Sequence, residues 1–228
     1  ASEHKDNYDS KSLIPVLNNF FSYHPNFNYD YFLGDAGFDS IDNYKYLYKD
    51  HDIIPIIPLN PRGSKGIGKP GINEDGIPTC PNDESLTMKF DGLCKEKGRA
   101  LRLKWLCPKS KRVRINGKLK YQLSCDNPCT TSSCGRMHHT NVDDDFRLNT
   151  VIPRGSERWI QLFKQRTIIE RTNFMVKSPM GLSYTKLRNT ASLKVEVMLA
   201  AITQQIVILI ADKLNKKSHL LSVKSLIA

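Results

Sequence analysis

The stretch FKQRTIIERTNFMVK, residues 163–177, sets one acid, Glu170, among Lys164, Arg166, Arg171 and Lys177 and mixes them with Ile and Phe. Wound as a helix at about 100° per residue, Phe163, Arg166, Glu170 and Lys177 fall within about 60° of arc. Leu162, Ile169 and Val176 form a neighbouring apolar stripe that would seat the helix on a core. An acid flanked by cations beside a buried face offers a site. The plainer alternative is a solvated Arg166–Glu170 pair worth about 0.3–0.5 kcal/mol.

A second acid, Asp35, lies in GDAGFDS just after the short apolar run Tyr29–Leu33. Strand ends in α/β units are where active-site residues gather. Two carboxylates, one from a strand end and one from a helix, make a site for a divalent ion. Mg²⁺ takes a few carboxylate oxygens and keeps positions open for water and phosphate. Such ions activate an attacking oxygen and stabilise a leaving one in phosphoryl transfer. Arg and Lys beside the acid would then hold a DNA backbone.

Charge placement agrees with that chemistry. The 228-residue chain carries a net charge of +11. Between residues 93 and 122 eleven bases face one acid, Glu96, so that segment holds ten of those charges. A cluster of this density implies a polyanionic partner, nucleic acid first of all. Arg102, Lys104, Arg112 and Arg114 alternate with apolar residues in ALRLKWL (100–106) and RVRINGKLKYQL (112–123). These read as strands, with Asn116-Gly117 as a hairpin turn. Their basic face is either a DNA platform or the solvated outside of a small sheet.

The elements that must position these residues follow from patterning. A polar opening leads to a short helix around KSLIPVLNNFFSYH. A strand over Tyr29–Leu33, a helix through IDNYKYLYKDH capped by Asp39-Ser40, and a second strand in DIIPIIPLN (52–60) make a βαβ unit, so a parallel sheet is expected. Residues 60–78 form a Gly/Pro-rich loop without the spacing of a phosphate loop. After the basic strands and a Ser/Thr-rich stretch, the chain turns helical from Ser156 and ends in a second helix and a Lys-rich tail. VEVMLAAITQQIVILIADKL (195–214) is apolar but interrupted by Glu196, Thr203, Gln204 and Gln205, and reads as a buried or packing helix rather than a membrane span. The division expected is 1–59, 60–150 and 151–228.

These residues resemble a known family. Arg166, Glu170 and Lys177 match in identity and spacing the Y-x2-R-x3-E-x6-K signature of DDE-type transposases from bacterial insertion sequences, with Phe163 where Tyr is usual. GDAGFDS is similar to the segment around that family's second catalytic aspartate. NPCTTSSCGR and IPRGSERW resemble clostridial-type members, which carry a Cys-containing insertion. The resemblance implies an α/β, RNase H-like core (the retroviral-integrase superfamily), incomplete here, with a β-rich insertion and C-terminal helices. It implies DNA cleavage and joining with Mg²⁺ or Mn²⁺, Asp35 and Glu170 as the second and third acids of the triad, and Phe163, Arg166 and Lys177 as contacts to double-stranded transposon ends. Homo-oligomerisation on DNA when full length, and a bacterial cytoplasmic, nucleoid-associated location without membrane attachment, go with it. The first aspartate has no match, since Asp6 and Asp9 lie in a polar segment that does not read as a strand. The chain reads as a C-terminal portion starting at Ala1, inactive alone. A non-enzymatic DNA-binding module or decayed relic is the alternative.

Cys107, Cys125, Cys129 and Cys134, with His138 and His139 nearby, are candidate zinc ligands. Their spacing of 17, 3 and 4 intervening residues lacks paired CxxC knuckles. Free thiols in a reducing compartment are the alternative, and Cys80 and Cys94 read as packing residues.

Overall fold

The computed structural model describes residues 9–61, 70–177 and 181–216. The Lys-rich tail beyond 216 lies outside the described residues. The chain divides into two compact units, 1–164 and 165–228.

The first unit opens with helix α1 (Asp9–Tyr23), strand β1 (Tyr31–Leu33), helix α2 (Ile41–Lys45) continued by a π-helical turn (Tyr46–Asp50), and strand β2 (Ile54–Ile56). β1 and β2 pair in parallel, Phe32 opposite Pro55, which bears out the expected βαβ unit. Ile54 N donates to Asp30 O and Ile56 O accepts from Gly34 N, so Pro55 can lack its N–H at no cost to this ladder. Ser40 caps α2, its hydroxyl accepting from Asn43 N, while Asp39 ends the turn before it. Leu13 of α1 is buried against Tyr44, Leu47, Ile53 and Ile57.

The β-rich part contains β3 (Thr79–Cys80) paired with β4 (Asp83–Thr87), and an antiparallel sheet of β5 (Lys89–Cys94), β6 (Arg102–Leu106) and β9 (Met137–Asn141), with β6 in the centre. β7 (Ser110–Ile115) and β8 (Lys118–Leu123) form a separate hairpin. Asn116 and Gly117 at its tip have φ of 51° and 76°, the left-handed pair such a two-residue turn requires. Alternation on β6 works as expected. Leu103 and Trp105 are buried with Met88 and Val142, whereas Arg102 and Lys104 are only half-buried. Phe146 packs on this cluster and on the α1 cluster, so the β-rich segment and the βαβ segment share one body. Helix α3 (Glu157–Lys164) closes the unit, with Trp159 buried on Ile56 and Ile152.

The second unit holds α4 (Thr167–Lys177) and α5 (Thr190–Lys213), which contact each other. The sequence leads to a buried or packing helix at α5, and the helix packs along one face only. Its buried residues are Ala200, Gln204, Val207 and Ala211, a single stripe at helical spacing, while Met198, Leu199, Ile202, Ile206 and Leu209 are exposed. By length and composition α5 could cross a membrane. Its polar residues are placed individually: Glu196 accepts a hydrogen bond from Thr185 Oγ1 at 2.6 Å, and Gln204 is buried.

Candidate active site

Gly34 follows β1, and a Cβ there would meet the Phe32 ring at 2.8 Å and the Phe38 ring at 3.1 Å. That close packing turns the chain sharply and presents Asp35, exposed, at the end of the parallel ladder. Asp35 Oδ1 accepts from Gly37 N at 2.9 Å and caps the turn Ala36–Phe38. Its other oxygen is left for a second partner. Asp9, first residue of α1, reaches the same place. A Cβ built on Gly37 would lie 2.9 Å from Asp35 Oδ1 and 3.0 Å from Asp9 Oδ2. Sequence patterning sets Asp9 aside as part of a polar opening, because helix N-termini are polar whatever they do. Asp6 lies outside the described residues.

Asp39, four residues on, has another task. Its side chain is wholly buried, takes Arg147 Nη2 at 2.7 Å and Nε at 2.8–2.9 Å, and accepts from Asn60 N. Beside it Tyr44 OH takes Arg154 Nη2 at 2.6 Å, and burial raises the Tyr44 hydroxyl far above its ordinary range. Asp39, paired with Arg147, thus fixes the residue at which the Ala36–Phe38 turn ends, while Tyr44 and Arg154 both hold Ile57 O just after β2. Arg147 and Arg154 carry no motif signal for this, since both act at a separation of about a hundred residues.

The signature stretch does not form one helix. The chain leaves the helix at Gln165–Arg166, between α3 and α4, so one helical wheel cannot hold Phe163 and Glu170. Phe163 lies half-buried in the first unit, stacked on Trp159 with ring centroids 4.8 Å apart. Leu162 packs in that same cluster. Ile169 is 55% exposed, so the expected apolar stripe does not seat α4 on a core, and the Val176 side chain lies outside the described residues. In the second unit Arg166 Nη2 and Glu170 Oε1 form an ion pair of 2.9 Å, and Lys177 is exposed. This is the i, i+4 pairing the sequence allowed as the plainer reading.

Three of the four basic candidates are engaged by acids. Arg102 pairs with Glu96 at 2.7 Å, while Lys104 and Arg112 both pair with Asp91, at 2.8 and 2.9 Å. Tyr121 OH also donates to Asp91, at 2.6 Å. Burial would raise the Asp91 carboxyl, but these three donors outweigh it and hold it below the usual carboxylate range. Asp91 stands just outside the densely basic segment, so counting that segment alone overstates its available cations. Arg114 is exposed on the hairpin, as are Lys111, Lys118 and Lys120. Leu119, 67% exposed, shows that the hairpin tip is not packed down.

The cysteines are arranged differently from expectation. Cys134 contacts Ser132 Oγ and the Gly135 carbonyl, whereas Cys80, read as a packing residue, lies 3.9 Å from Cys129, sulfur to sulfur. Burial, with Cys80 and Cys107 nearby, raises the Cys129 thiol above its usual range.

The family model described as "Transposase DDE domain" matches residues 2–206 of the chain. No curated protein and no solved structure matches it.

Proposed function

The chain belongs to the transposase DDE domain family, and from that premise we propose that Asp35 and Glu170 are two of the acids that cleave and join DNA strands at insertion-sequence ends. The family brings DNA cleavage and transfer, DNA binding and divalent-metal chemistry. An RNase H-like core, the Y-R-E-K grouping and the assignment of roles to single residues are our reading. The observation that carries it is the presentation of Asp35: an exposed carboxylate at the end of a parallel strand, fixed through one oxygen by Gly37 N and opening a turn that ends at the buried, Arg147-paired Asp39.

Asp35 in the first unit and Glu170 in the second are each of the donor type Mg²⁺ or Mn²⁺ takes, a hard carboxylate with one oxygen engaged, by Gly37 N or by Arg166, and the other presented. When bound, the ion supplies Lewis-acid activation of the attacking oxygen and charge stabilisation of the leaving one. The chain's own residues do the rest. Gly34 and Gly37 orient Asp35. Arg166 holds Glu170 before DNA arrives and can transfer one face of its guanidinium to a phosphate, whose geometry it matches in a bidentate way. Lys177, exposed on the same helix, adds a second cation for the backbone. Phe163 retains the ring of the usual Tyr without its hydroxyl; packed with Trp159 of the same helix onto the cluster of Ile56 and Ile152, it helps seat α3 as well as offering its ring to DNA.

DNA engagement outside this site falls to the exposed Lys111, Arg114, Lys118 and Lys120 of the β7–β8 hairpin, with Arg102, Lys104 and Arg112 serving first to fasten strands together. The test is a strand-cleavage and strand-joining assay in transposition-competent protein. Asp35→Asn and Glu170→Gln should each abolish both reactions while binding of end DNA stays within about twofold, because each change keeps the side chain's shape and removes its charge. Retained cleavage in either variant would remove that residue from the triad. A protein that binds DNA but shows no metal-dependent cleavage in any form would favour the second reading, a DNA-binding module.

A further inference from the structure

The chain carries a cysteine arrangement that the transposase reading does not use. Cys80 at the end of β3, Cys107 just after β6, and Cys125 and Cys129 in the loop after β8 all line one cavity of about 280 Å³. They come from segments far apart in sequence, and specific tethers gather them. Ser124 N donates to Lys109 O, which holds the Cys125 segment beside the tight turn that Ser110 N closes onto Cys107 O. Asn82 Nδ2 lies 3.4 Å from both Asn127 oxygens, which ties the Cys125–Cys129 loop to the turn following Cys80.

The sulfur geometry is informative. Cys80 and Cys129 Sγ are 3.9 Å apart and every described cysteine is free. That is well beyond a disulfide bond of about 2.05 Å. It is close to the edge of a thiolate tetrahedron, about 3.8 Å when each sulfur lies about 2.3 Å from a central Zn²⁺. Among the described residues no three Cys, His, Asp or Glu side chains already surround a common point. One pair of free thiols thus stands at about the spacing of such an edge, with two further thiols on the wall of the same cavity. Closure of the remaining ligands onto the ion is expected where metal binding and local folding are one event.

We propose that Cys80, Cys107, Cys125 and Cys129 form a structural four-thiolate site for a zinc-type divalent ion, locking β3, the β6–β7 turn and the loop after β8 together. Cys134 is excluded from this set because it contacts Ser132 and Gly135 and lies off the cavity wall. His138 and His139 are on β9 and are likewise not part of that wall. Four thiolates leave no open coordination position, so the site would hold structure and perform no catalysis. It is separate from the Asp35 and Glu170 chemistry, and it stands or falls independently of it.

The test is metal content of the whole chain, purified under reducing conditions without chelator, by elemental analysis and by release of bound ion on thiol modification. One equivalent of zinc is expected. Replacing it with Co²⁺ should give the intense thiolate charge-transfer absorption of tetrahedral sulfur ligation. Cys125→Ser, at a half-buried position and thus tolerant of the change, should lower ion retention by at least tenfold, whereas Cys134→Ser and Cys94→Ser should keep the full equivalent. Far-UV circular dichroism of each variant separates ligand loss from unfolding. Wild-type protein that is folded yet holds no zinc and gives no Co²⁺–thiolate band would overturn the proposal. So would equal loss from Cys134→Ser and Cys125→Ser, or a Cys80–Cys129 disulfide found by mass in the reduced preparation.

Discussion

Asp9 and Asp35 meet at Gly37, with Asp9 Oδ2 and Asp35 Oδ1 both about 3 Å from the point where that glycine's missing Cβ would stand. Gly37 N supplies a donor for Asp35, and only a residue without a side chain leaves room for both acids. Gly37→Ala should therefore displace the Asp35 carboxylate without disturbing the hydrophobic clusters. The expected result is a loss of strand cleavage on the order of a hundredfold, typical of a misplacement near 1 Å, with a melting temperature close to that of the parent. Unchanged cleavage in the folded variant would mean that the orientation of Asp35 does not matter to the chemistry.

Arg166→Ala separates two roles of the Arg166–Glu170 pair. If the pair were only a surface ion pair, its removal would cost about 0.5 kcal/mol of stability and nothing else. If the guanidinium grips a phosphate, binding of end DNA should weaken by about tenfold and lose part of its salt dependence. Fluorescence anisotropy titrations at several salt concentrations decide between them.

The hairpin makes a sharper prediction than the basic segment as a whole. Lys111, Arg114, Lys118 and Lys120 changed together to Ala should reduce the slope of log K against log salt by up to about 0.9 for each phosphate no longer neutralised. Changing Arg102 and Lys104 should instead lower stability, since both are half-buried and paired with Glu96 and Asp91. Equal effects of the two sets on the salt slope would refute this division of labour.

These contrasts mark what patterning could show. The period-two alternation around Leu103 and Trp105, the Asn116-Gly117 turn and the strand–helix–strand spacing before Asn60 are local signals, and the structure follows each of them. Helical spacing also brought Arg166 to Glu170. The helix break at Gln165 was not legible, because no Gly or Pro marks it and periodicity alone cannot reveal an interruption. Pairings such as Arg147 with Asp39, Asp91 with Lys104, and Cys80 with Cys129 depend on which distant segments the fold brings together. The spacing of the Cys-rich stretch likewise carries no sign that the remote Cys80 stands beside Cys129. Counting charge in a window cannot reveal that Asp91, two residues outside it, engages Lys104 and Arg112.

Asp91 also predicts a pH dependence. It sits on β5 with its side chain 11% exposed, pairs with Lys104 of the neighbouring strand β6, and joins that sheet to the hairpin through Arg112 and Tyr121. Its carboxyl titrates below the ordinary carboxylate range in the folded protein. As pH falls, the unfolded chain therefore takes up this proton before the folded one does. The stabilisation is complete above the ordinary range and disappears as pH drops through the lowered folded value. Asp91→Asn keeps the shape but loses the charge-assisted bonds, at a cost of about 2 kcal/mol near neutrality. Denaturant melts from pH 7 to pH 3 should show the parent losing stability towards acid more steeply than Asp91→Asn, so the two curves approach each other at the acid end. Parallel curves over that range would show that Asp91 does not couple the hairpin to the sheet through its charge.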